Sequence, residues 1–403
     1  MFGFFKKNKK IENQENPEKP DASAPIFEEA LVLLRQMQEG KYKDWCRRDV
    51  AVFLGASGQQ QKATELIQEM QDPIQHDLAY IGIAVELAKQ GEYEDALKLS
   101  EQIKDKFDRS SIYHPIAKMQ AEKREYANCL KSIETANAIA ANSTDQTAVE
   151  CALIAFKNGN KEFAKRVLEA GTDSPTSLWK NIAEALLLLY DGEENTADKK
   201  IHELNTALGW KLYAEHLTLL NKWEQAEKTV EKIEDTTSRE LAWQKLAAAK
   251  GKIGDKDGAL TYLKNIRNAT IQAESMRVVA IATAANNHLD RALQIVEVIG
   301  EKYRNEQSIA LSVIMKTLID KGAINEANTL IKRVPYPHLN TVLEAFAAHC
   351  IKTKLHEQAR EFIDKVKDNS HAEMNLYVKA KALAYLGNIC NKEIKRMNGY
   401  FTG

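Results

Sequence analysis

Glycine and proline are both scarce. In 403 residues there are 18 glycines and 8 prolines, where average usage would give roughly 28 and 20. Turns that need those residues are few, so the chain is expected to be helices joined by short connections. A dominant charge is missing as well: 56 Lys+Arg face 57 Asp+Glu, which removes the electrostatic footprint of a general nucleic-acid binder. The five cysteines, Cys46, Cys129, Cys151, Cys350 and Cys390, are odd in number, widely spaced and never in C-x-x-C. They read as buried, reduced thiols of a cytoplasmic protein. No apolar run approaches the roughly 18 residues of a membrane span. The opening MFGFFKKNKK puts its charges after its apolar residues, the reverse of a secretory signal.

Catalytic signatures are absent too. There is no G-x-x-x-x-G-K-[ST], no G-x-G-x-x-G and no H-E-x-x-H. The nearest metal-like cluster, His349, Cys350 and His356, has two neighbours that point about 100° apart on a helix and reads as core and surface positions. Glu193-Glu194 reads as a solvated helix terminus. Neither an enzyme nor a cofactor or metal site is indicated.

What is present is a repeat. GEYEDALKLSEQI at 91–103 returns as GDKDGALTYLKNI at 254–266. Taking Ala96 as an anchor, equivalents stand at Ala30, Ala63, Cys129, Ala164, Ala197, Ala226, Ala259, Ala292, Ala327 and Ala359, with a degenerate one expected at Lys392. Most steps are 33 residues, the period of a helical-hairpin solenoid. Twelve residues before each anchor from Ala63 onward lies alanine in ten of eleven cases, Met315 being the exception. Four and seven residues after it the positions are mostly Leu, Ile, Val or Met. Offsets of 0, +4 and +7 share one face of an α-helix, so each unit holds two amphipathic helices. Length changes fall between hairpins, the shortest connection being at Asn205–Thr206. Ser143-x-x-Gln146, Thr237-x-x-Glu240 and Ser370-x-x-Glu373 have the spacing of capping boxes.

Two alanines twelve apart, a glycine five before the second (Gly58, Gly91, Gly159, Gly192, Gly254, Gly322), and Trp210 and Trp243 sixteen before their anchors resemble the tetratricopeptide repeat. The resemblance covers about residues 26–396. It departs from the family in its 33-residue mode, in aliphatic residues where the second helix often has an aromatic, and in lacking most closing prolines. The resemblance implies an all-α solenoid of about eleven helix-turn-helix units in a right-handed superhelical array. Twelve second helices and eleven first helices are expected, the tryptophans packing in the core. Residues 1–25 are expected to be a disordered tail and 397–403 a short frayed end.

The family implies a function of binding protein or peptide partners along the concave face, as a non-catalytic scaffold or adaptor. Alternatives are a single-stranded RNA reader and a peptide-sensing regulator. Residues fifteen and eleven before the anchor lie on one flank, which the resemblance identifies with the groove. Their charged members are Arg48, Lys118, Lys211, Arg277, Lys316 and Lys381 against Glu215 and Glu344, so an acidic or phosphorylated partner segment is expected. At the N-terminus, Phe2, Phe4 and Phe5 followed by Lys6 and Lys7 suit contact with an anionic inner membrane surface.

Overall fold

A computed structural model describes residues 24–141, 143–171, 177–368 and 372–399. It is helical throughout those residues. α1 (Ala24–Gln36) comes first and has no partner beside it in sequence. Hairpins then follow: α2 (Lys41–Ala56) with α3 (Gln60–Gln68), and α4 (Pro73–Gln90) with α5 (Tyr93–Lys98). The third has a broken first helix, α6 (Lys106–Ser111) and α7 (Tyr113–Glu122), with α8 (Tyr126–Ile139) as its second. Next are α9 (Asp145–Lys157) with α10 (Lys161–Gly171), α11 (Leu178–Tyr190) with α12 (Glu194–Leu204), and α13 (Ala207–Leu219) with α14 (Trp223–Glu231). Then come α15 (Thr236–Lys252) with α16 (Lys256–Leu263), and α17 (Ala269–Ala285) with α18 (Leu289–Ile299). α19 (Arg304–Asp320) with α20 (Ile324–Leu330) and α21 (His338–Lys352) with α22 (His356–Asp364) complete the pairs before α23 (Ala372–Gly399).

The repeat seen in sequence is the packing rule. Every anchor from Ala30 to Ala359, and every residue twelve before an anchor from Ala51 to Ala380, is at most 1% exposed. Small side chains there let the two helices of a hairpin approach closely, and aliphatics such as Ile67, Ile133, Ile201 and Val296 fill the space one turn on. The hairpin turn is equally uniform. Five residues before the anchor the backbone is left-handed, whether the residue is Gly58, Gly91, Gly159, Gly192, Gly254 or Gly322, or instead Arg124, Asn221, Asn287 or Lys354. A helix ended this way satisfies its last carbonyls by bonds from the turn, as Glu92 N to Leu87 O and Leu355 N to Cys350 O show.

The connections between hairpins carry their own device. The Asp44 carboxylate, near the start of α2, accepts from the amides of Gln71 and Asp72 in the loop after α3, at 2.9 and 3.1 Å. Glu240 on α15 does the same for Arg267 and Asn268, at 2.9 and 3.2 Å. Both lie nineteen residues before their anchors. This overturns one expected capping box: Glu240 is committed to a distant loop, and α15 is capped by Asp235, which accepts from Ser238 N. Ser143 does not cap α9 either, whose N-cap is Thr144 with no side-chain bond. Ser370 lies outside the described residues.

The chain ends alter the expected count. The second helix expected around Lys392 does not exist, because α23 runs on without a break to Gly399. Instead α23 packs along α1 as the two helices of any other hairpin do, and lies between α21 and α2. An orphan second helix at the N-terminus thus meets an orphan first helix at the C-terminus. Eleven hairpins result, and the tetratricopeptide-like solenoid closes on itself as a ring. Its seam holds apolar contacts, including Phe53 against Tyr385 at 5.7 Å between ring centroids, and polar ties. Tyr377 donates to Asp49, Lys381 pairs with Asp49 at 3.1 Å, Asn391 donates to the Ser57 carbonyl at 2.6 Å, and Arg360 pairs with Glu29.

The same contacts fix which layer is inside. First helices pack on one another all the way round, whereas second helices are mostly splayed apart. With equal numbers in two concentric layers, the closely spaced layer has the smaller radius. First helices therefore line the interior.

Candidate interaction surface

Each first helix is covered on three sides, by its own second helix and by a first helix on either flank. Its fourth side faces the ring's interior, and solvation alone would favour polar residues there. Many are apolar. Phe53, Met119, Ile154, Leu212, Val278 and Val313, ten or fourteen residues before their anchors, are all half-buried. Leu219, at the end of α13, is 51% exposed. An uncovered apolar strip on a folded protein marks a surface that something else can cover.

The six cations expected to face the groove are placed differently from one another. Four hold acids on neighbouring first helices or beside them. Arg48 bonds Asp49 and reaches Gln75 on α4 at 2.9 Å. Lys118 pairs with Glu150 on α9 at 2.9 Å, Arg277 with Glu306 on α19 at 2.5 Å, and Lys381 with Asp49. Residues fifteen before the anchor lie at the joint between adjacent first helices, as the buried Val149, Ile182 and Ser312 in the same column show. Lys211 and Lys316 have no ion pair among the described residues, and Lys316 is exposed.

Two further clusters occupy this layer. At the seam, Glu344 on α21 lies near Lys381, Lys316 and Asp49; burial pushes its carboxyl up to about 7 against the pull of the two lysines. On α11 and α13, the Tyr190 hydroxyl is 2.7 Å from His216 Nδ1, and Lys157 Nζ sits 5.1 Å from the Tyr190 ring centroid. Burial, with Lys157 adding to it, pushes His216 down to about 4, so its imidazole is neutral at pH 7.

Phe2, Phe4, Phe5, Lys6 and Lys7 fall outside the described residues. Among the described residues there is no group of three or more His, Cys, Asp or Glu arranged to hold a metal ion, and no helix is long and apolar enough to cross a membrane. All five cysteines are buried and unbridged. Trp210 and Trp243 are buried, as the repeat pattern requires.

No protein-family model and no curated protein matches the chain. Among solved structures it is similar to a Rap protein complexed with competence and sporulation factor, with 14% identity over 88% of this chain and 99% of that one, and a TM-score of 0.28. It is also similar to Ton1535 from Thermococcus onnurineus NA1, with 16% identity over 90% of this chain and 99% of that one, and a TM-score of 0.25.

Proposed function

We propose that the protein is a non-catalytic scaffold or adaptor that holds a protein or peptide segment against the first-helix layer of its ring. The observation that carries this reading is the apolar strip on the one side of those helices that the fold leaves uncovered, with Leu219 at 51% exposure. Lys211 and Lys316, which make no ion pair among the described residues, would draw carboxylates or phosphates to its edge. Protein is favoured over single-stranded RNA, because a base reader needs its repeated column open and the column fifteen before the anchor is turned into helix joints.

The test is affinity capture with the full chain, comparing wild type with Leu219→Asp and with Lys211→Glu/Lys316→Glu. Loss of the same principal partner in both variants, at unchanged melting temperature, is expected. Capture equal to wild type would place the binding surface elsewhere. Contact of residues 1–10 with an anionic membrane is part of the proposal: deleting them should abolish co-sedimentation with phosphatidylserine vesicles, and unchanged sedimentation would remove that element.

A further inference from the structure

The outer layer has a recurring feature of its own, a groove between consecutive hairpins. Between α1 and α3 it is dominated by charge, including Glu28, Arg35, Lys62 and Glu65. Between α5 and α8 it is lined by Glu92, Glu94, Asp95 and Lys131 among others. Between α12 and α14 it carries Glu194, Asp198, Lys228 and Lys232. Beside α10 and α11 the groove is of another kind. It encloses about 420 Å³, and Phe156, Leu168, Leu187 and Leu188 form its floor.

One charged position marks the helix beside it. Thirteen residues before the anchor, other first helices bury Val50, Ile83, Ile116, Cys151, Tyr213 and Leu246. In α11 that place is taken by Glu184, which cannot be buried unpaired and instead reaches Lys200 on α12 at 2.8 Å. α11 buries Ile182, Ala183, Ala185, Leu186 and Leu189, and Leu187 and Leu188 are half-buried in the groove lining. Of the groove's lysines, Lys161 is held by Asp191. Lys165 and Lys180 have no ion pair among the described residues, and Lys165 is exposed.

We propose that this groove is a second docking site, distinct from the interior face, for an amphipathic helix of another protein that presents leucine or phenylalanine to the floor and carboxylates to Lys165 and Lys180. Charge favours this occupant, since Lys165 and Lys180 outnumber Glu169, the one acid of the lining without an ion pair among the described residues. The chain's own Phe2–Lys7 segment has the aromatics, but it would bring Lys6 and Lys7 against the rim lysines. A helix laid in a groove anchors through side chains three and four apart, which suits a floor formed by residues of three helices, α9, α10 and α11.

The test uses fluorescein-labelled synthetic helices that share one Leu/Phe stripe and differ only in flanks, glutamate in one and lysine in the other, titrated into the full-length protein at physiological salt. The glutamate helix is expected to bind at least about tenfold tighter. Lys165→Glu/Lys180→Glu, at one exposed and one half-buried position, should reverse that order. Leu188→Asp should weaken both helices, while the interior variant Leu219→Asp should change neither. Equal affinity for the two helices, no binding of either, an order unchanged by the double reversal, or loss of binding in Leu219→Asp would each overturn the proposal.

Discussion

Tyr377 on α23 donates its phenolic hydrogen to Asp49 on α2 at 2.8 Å, across 328 residues of sequence. The same carboxylate holds Arg48 and Lys381, so one aspartate ties the last first helix to the earliest. Asp49 itself is buried, whereas Arg48 and Lys381 keep part of their side chains in water, and the seam draws its strength from several such bonds together with apolar burial.

Tyr377→Phe removes one hydrogen bond to a charged acceptor while keeping the ring in place. The expected loss is about 1–2 kcal/mol, read as a lower urea midpoint with an unchanged slope. A midpoint equal to wild type would show that the bond adds nothing to the closed state.

The hairpin turns give a prediction of opposite sign. Lys354 occupies a left-handed position, φ 63°, that six other repeats give to glycine. A β-carbon there costs roughly 1 kcal/mol. Lys354→Gly is accordingly expected to raise stability by up to about 1 kcal/mol, since the strain relieved exceeds the extra chain entropy glycine brings to the unfolded state. A lower melting temperature in that variant would mean that the Lys354 side chain makes a compensating contact.

How much of this was legible in the sequence depends on which residues carried the information. The alanines at and twelve before each anchor announced the hairpins, because only small residues fit where the two helices nearly touch. Gly91 and Gly254 announced the turn, whereas Arg124 and Lys354 hid it, since packing imposes the same backbone on a residue that does not prefer it. Closure was hidden for a topological reason: Ala30 read as a second helix without a first, Ala380 as the first helix of a last unit completed around Lys392, and nothing local says that α1 and α23 belong together. The cationic columns misled in part. Helix geometry gives an angle round one helix, but the neighbouring acids Glu150 and Glu306 that neutralise Lys118 and Arg277 come from the next unit. Glu184, a charge in a column that nine of the eleven first helices fill with apolar residues, was the available signal for the groove beside α11.

Glu344 sets a pH dependence. Its folded carboxyl titrates at about 7 instead of the ordinary 4.5, so the folded state binds a proton more tightly than the unfolded chain. Its contribution is fully present below the unfolded value and is lost as pH rises from about 4.5 through 7, by at most about 3 kcal/mol. His216 acts in the opposite sense, its depressed value costing stability as pH falls from 6.5 toward about 4. The difference between wild type and Glu344→Gln isolates the first effect: the variant should gain on wild type as pH is raised from 5 to 8. A constant difference across that range would mean that Glu344 titrates normally.

Closure itself is tested by cutting the chain at its shortest inter-hairpin connection. Asn205 is left-handed and ends α12, and Thr206 caps α13, so a protease site placed there interrupts no helix. In an open solenoid the two pieces would touch at one joint only. In a ring they touch at two, the α11–α13 joint and the α23 seam with α1 and α2. The cleaved protein is expected to elute as one species at the size of the intact chain, and to separate once residues 372–403 are also removed. Each separated piece should keep helical circular dichroism, because repeat units are stabilised by their nearest neighbours. Separation of the pieces with the seam intact would show that the ring is open in solution, and pieces without helical signal would show one indivisible core in place of a solenoid.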